Sequence, residues 1–143
     1  MGFSKKTYIY KVKLFVMLSR DLTATVIKTF FEELGDVRDG KRYENVANPF
    51  SGLYMPYFHQ EREWFFKAEV KEITALLADD PIAKLEMLTE LLYQDVRRLT
   101  DAEIQGVMFR KIIELHEVID TRSMEFSIER ANRTEELKKL LES

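Results

Sequence analysis

A chain of 143 residues with 45% apolar and 33% charged side chains reads as one soluble globular domain, long enough to bury a core unaided. The absence of cysteine excludes disulfides, thiolate nucleophiles, zinc knuckles and iron–sulfur clusters, and two histidines leave little for an imidazole metal site. The net charge of −3 is unevenly spread, +4 over residues 1–42 and −7 over residues 43–143, so nonspecific DNA binding is disfavoured while the basic N-terminal third suits an acidic partner or a phosphate backbone.

Residues 7–18 read in two ways. As a strand, Tyr10, Val12, Leu14, Val16 and Leu18 share one face. As a helix, Tyr8, Val12, Phe15, Ser19, Leu22, Val26 and Phe30 make one seam with the next segment. The helix is favoured, because no Gly or Pro falls between residues 3 and 34 and the partner strands on offer are weak. Lys11 and Lys13 interrupt the apolar run, which is too short for a secretory signal or a membrane span. The expectation is therefore a cytoplasmic protein with no membrane partner.

Residues 21–34 predict a helix on Leu22, Val26, Phe30 and Leu34, with Ile27 and Phe31 widening the stripe. Ser19 or Asp21 is the expected N-cap, Gly35 the expected stop, and Phe30 and Phe31 the core anchors. Gly35, Gly40, Pro49, Gly52 and Pro56 then break the chain, so residues 36–60 are expected to be an irregular crossover.

Beyond it, helices are predicted over about 61–78 (Phe66, Val70, Ile73, Leu77), from Pro81 onward (Ile82, Leu85, Leu88, Leu92, Val96, Leu99), and from a Thr100–Glu103 capping box onward (Ile104, Met108, Ile112, Leu115, Ile119). A last, loosely patterned helix carries Met124, Ile128 and Ala131, then Leu137, Leu140 and Leu141. It is read as projecting or pairing with another chain. Short links make these helices antiparallel neighbours. The fold expected is mainly α, an irregular helical bundle or short stack of antiparallel hairpins across a single domain of residues 1–143, with 1–35, 36–60 and 61–143 as its parts. The alternative is α+β, with residues 7–18 as a strand. Over residues 61–142 the hairpins resemble tetratricopeptide-type units in topology, without their signature Trp, Gly, Ala and Pro positions or a 34-residue repeat.

The motif search is negative for catalysis, cofactors and metals. No GxSxG, GxGxxG or GxxxxGK[ST] occurs. His59 and Glu63 have helical-face spacing but lack a third ligand, and His116 reads as a boundary histidine paired with Glu117, Asp120 or backbone. The unusual feature is aromatic. Eight of the seventeen rings fall between Tyr43 and Phe66. Such rings either plug a core or serve an interface. The reading adopted is a non-enzymatic protein-interaction or adaptor module, with Phe50, Tyr54, Tyr57, Phe58 and Trp64 as anchors and Arg38, Lys41 and Arg42 as a charged rim. The alternative is nucleic-acid binding through Lys11, Lys13, Lys41 and Arg42 with ring stacking; a homo-oligomer is compatible with either.

Overall fold

The computed structural model describes residues 23–43 and 46–143. Residues 7–18, with their helix-or-strand alternative, lie outside it. Within it the fold is mainly α: seven α-helices and one 3₁₀ turn, with no strand among the described residues. The helices are α1 (Ala24–Arg38), α2 (Tyr54–Phe58), α3 (Arg62–Lys67), α4 (Val70–Leu76), α5 (Ile82–Val96), α6 (Ala102–Ser123) and α7 (Ile128–Glu142). They form two compact units. The first reaches to Lys67 and includes Leu77–Pro81; the second comprises Ala68–Leu76 and Ile82–Ser143.

In the first unit, α1 starts at a Thr23 cap, whose Oγ1 accepts from Val26 N at 3.2 Å. The expected caps, Ser19 and Asp21, lie outside the described residues. Gly35 does not end the helix. Val37 continues the buried stripe of Val26, Phe30 and Leu34, so the chain gains from one more turn, and Gly40 takes the left-handed conformation at φ 75°. Phe30 is fully buried, while Phe31 is exposed, because only every third or fourth position of α1 faces inward. The crossover is more regular than expected. The turn Ser51–Leu53 runs directly into α2, which His59 closes at φ 71°.

The helix expected over 61–78 is two helices, broken at Ala68 and Glu69. No Gly or Pro causes this. Phe65 and Ala68 are buried, as are Ile73, Thr74 and Leu77. One unbroken helix would set those two groups roughly 150° apart around its axis, at 3.6 residues per turn. The break lets each segment bury its own side.

In the second unit α5 packs on α6, and α6 on α7. Helix α5 is buried over most of its circumference, from Leu85 to Val96, so its clean three-four seam understated its position. The α5–α6 turn is tied by Gln105 Nε2, which donates to the carbonyls of Val96 (3.1 Å), Arg97 (3.3 Å) and Leu99 (3.4 Å). The cap of α6 is Asp101 rather than Thr100: its Oδ1 accepts from Glu103 N at 3.0 Å and Ile104 N at 3.2 Å. A carboxylate does this better than a hydroxyl, because the helix N-terminus carries partial positive charge. Helix α6 then runs 22 residues without a break and ends on Met124 in the left-handed region, at φ 55°.

Helix α7 buries one residue completely, Leu137. Polar side chains supply much of the rest of its attachment. Arg130 Nε donates to Asp120 Oδ1 at 2.6 Å, and its Nη2 to the Glu125 carbonyl at 3.0 Å. The Arg133 guanidinium lies 3.4 Å from the centre of the Tyr93 ring. This explains the loose apolar pattern of the tail: it is held by charge and stacking more than by an oily stripe.

Candidate functional site

The aromatic segment folds inward. Phe50, Tyr54, Tyr57 and Phe58 are each at most 1% exposed. Phe30 is their hub, with ring centroids 5.0 Å from Tyr57 and 5.6 Å from Phe58, both edge-on. Tyr54 and Phe65 extend the cluster at 5.7 Å. Four of the five rings expected to anchor a partner are therefore core rings, and a side chain without open surface cannot be a first contact. Trp64, packed edge-on against Phe65 at 5.1 Å, is half-buried and keeps one open side.

The charged rim also turns inward in part. Tyr57 Oη donates to Glu33 Oε1 at 2.6 Å. Arg42 reaches the same buried carboxylate, with Nη1 3.7 Å from Glu33 Oε2, and its Nε lies 3.3 Å from Asp36 Oδ2. Burial, then the Glu33 hydrogen bond and charge, raise the Tyr57 hydroxyl far above the ordinary phenol range. Arg38 hydrogen-bonds Asp39 at 3.1 Å, which lowers that carboxyl below its usual value. Lys41 is exposed beside them. Two of these three cations thus have carboxylate partners, which weakens a phosphate-binding reading of the turn.

The histidines follow neither ligand pattern. His59 terminates α2 and Glu63 sits in α3, so the four-residue spacing spans a helix break and does not define one face. His59 Nε2 lies 3.7 Å from the buried Asp80 carboxylate. His116 is buried, and a 2.7 Å hydrogen bond joins its Nδ1 to the Thr134 hydroxyl of α7, not to Glu117 or Asp120. Its pKa is lowered from 6.5 to about 4, by burial first and then by Arg130 and Arg133, against the opposing pull of Asp120. Among the described residues no three His, Asp or Glu side chains gather as a metal site.

The surface feature lies elsewhere, between α6 and α7. Met124 is 90% exposed, Phe126 81% and Ile128 67%. They alternate with Glu125 and Ser127 along the link. A shallow groove of about 620 Å³ opens nearby, lined by Val70, Thr74, Glu114, Val118, Thr121 and Arg122 among others. The sequence pattern puts Met124 and Ile128 on a helix stripe and gives Phe126 no role, whereas Met124–Ser127 are not helical. The available signal was the two-residue alternation of apolar side chains in Met124–Ile128, which no helix can bury on one face. Comparison with family models, with curated proteins and with solved structures returns no match.

Proposed function

We propose that this chain is a non-enzymatic protein-interaction module that docks through the helical surface of its second unit, with Met124, Phe126 and Ile128 as its apolar anchors. The observation that carries the reading is the exposure of three large apolar side chains within five consecutive residues, at 90%, 81% and 67%. Scattered apolar residues on a surface need no explanation, whereas the largest apolar patch of a monomer, about 300–600 Å², is often functional. Phe126 has the character of a central anchor: a rigid ring with little rotamer entropy to lose. Of the aromatic segment, Phe50, Tyr54, Tyr57, Phe58 and Phe65 are spent on the interior of the first unit. No helix of the described residues is long and apolar enough to cross a membrane.

The test is the pair Met124→Ser with Phe126→Glu, made in one chain and compared with the parent for capture of a partner from extracts of the source cell. Loss of the captured protein, with helix content unchanged, is the expected result. Capture that survives both substitutions overturns the reading. Salt-sensitive binding of a single-stranded oligonucleotide, lost on Lys41→Ala with Arg42→Ala, would replace it with the nucleic-acid alternative.

A further inference from the structure

We infer that α7 is a releasable arm, hinged at the Met124–Ser127 link. It leaves α5 and α6 when the His116 ring takes up a proton, and α5 and α6 stay folded. The seat of α7 is built from one face of that helix, on which Arg130, Arg133, Thr134, Leu137 and Leu141 follow three- and four-residue spacing. Along α6 they meet residues in reverse order. Arg130 Nε donates to Asp120 Oδ1 at 2.6 Å, Thr134 Oγ1 lies 2.7 Å from His116 Nδ1, and the Leu141 side chain lies over Gly106. Along α5, Arg130 Nη1 is 3.4 Å from Glu86 Oε1, Arg133 Nη1 is 3.5 Å from Glu90 Oε2, and Tyr93 Oη donates to Glu136 Oε1 at 2.5 Å. Leu137 alone is fully buried, so the seat is largely polar and answers to protonation as an apolar one does not. The link can move without unpacking an interior. None of Met124–Ser127 is helical or buried, and Glu125 bonds Ser123 and Arg130, which belong to the two helices it joins.

His116 stands buried in this seat. The charged groups that act on it are Arg130 and Arg133 of α7 and Asp120 of its own helix. From α5, Glu86 and Glu90 face those two arginines, and Glu72 of α4 acts on Lys111. Both guanidinium groups oppose a proton on the ring, and Asp120, which favours one, is already engaged by Arg130. The bonding partner of the ring and both opposing cations thus belong to α7. When α7 leaves, the ring loses all three at once, and release is the movement that lets it ionise. Burial first, and then the two arginines, hold its pKa at about 4 in place of 6.5. Linkage then makes the ratio of released to docked α7 rise about fiftyfold between about pH 7 and pH 4.5.

Amide hydrogen exchange on the full chain at those two pH values, corrected for the intrinsic exchange rate, tests this. The α7 amides are expected to open as one block ahead of those of α5. Their protection is expected to fall about fiftyfold from the higher pH to the lower. Most of that fall vanishes in His116→Gln, whose amide can still bond Thr134 and takes up no proton. Three results overturn the inference. The α7 amides may open together with those of α5, which makes the acid effect global unfolding. The α7 block of the parent may keep the same protection at both pH values. The fall may persist in His116→Gln, which assigns it to the carboxylates that hold the arginines. The first two are read on the unsubstituted chain and stand whether or not the variant folds.

Discussion

His116 shows what one buried imidazole does to this fold. It is buried and bonded to the Thr134 hydroxyl, and the charges of Arg130 and Arg133 oppose its protonation while Asp120 favours it. Its folded pKa is about 4 against 6.5 for a free imidazole. A depressed histidine pKa costs nothing above 6.5, where both states are neutral. As pH falls from 6.5 towards 4, the unfolded chain takes up a proton that the folded chain refuses, and stability is lost throughout that window. The loss is roughly 3 kcal/mol once complete. Urea midpoints of the parent and of His116→Gln, measured at pH 7 and pH 4.5 (roughly the ends of the window), check it: the parent is expected to lose more than the variant.

At the scale of elements, the tightest test lies in α6. Gly106 sits inside this helix, where Gly costs about 1 kcal/mol against Ala. A Cβ added there would lie 3.7 Å from Leu141 Cδ2 and 3.8 Å from Arg110 Nη1, both ordinary contacts. Gly106→Ala is expected to stabilise the protein by about 0.5–1 kcal/mol, read as a higher thermal midpoint. The same scale shows why some elements were legible in the sequence and others were not. Helices α5 and α6 repeat apolar residues every three or four positions, and both formed where that pattern lies. The α3–α4 break left no mark, because it answers a demand of packing, the burial of Phe65 and Ile73 on different sides, and not a breaker residue. The α6 cap moved from Thr100 to Asp101 because two good acceptors stand side by side and only electrostatics separates them. The candidate site was half legible: the density of rings in residues 43–66 was real, but whether a ring faces in or out depends on Phe30, which is more than twenty residues away in the chain.

Considered as a whole molecule, neither unit is an unbroken stretch. The chain leaves the first unit after Lys67, returns at Leu77 and leaves again after Pro81. Unfolding the second unit would free α4 and loosen the short segment Leu77–Pro81 that the first unit includes. The two are expected to unfold together on that account. Trp64 is the sole tryptophan and lies in the first unit, whereas α5, α6 and α7 of the second dominate the helical signal. Denaturation followed by Trp64 emission and by far-ultraviolet circular dichroism should therefore give one coincident transition, and two separated midpoints would show independent folding. The unit charges bear on partners as well. Counted over all its residues the first unit carries +1 and the second −4. The basic excess of residues 1–42 is thus nearly cancelled within its own unit, which leaves little long-range attraction for a polyanion.

Met124 carries a consequence of its own. It closes α6 in a backbone conformation that suits glycine, at φ 55°, and its side chain is almost wholly in water. A methionine there strains the turn and fills no interior. Glycine would close α6 with less backbone strain, and the docking proposed above is what would give this side chain a use.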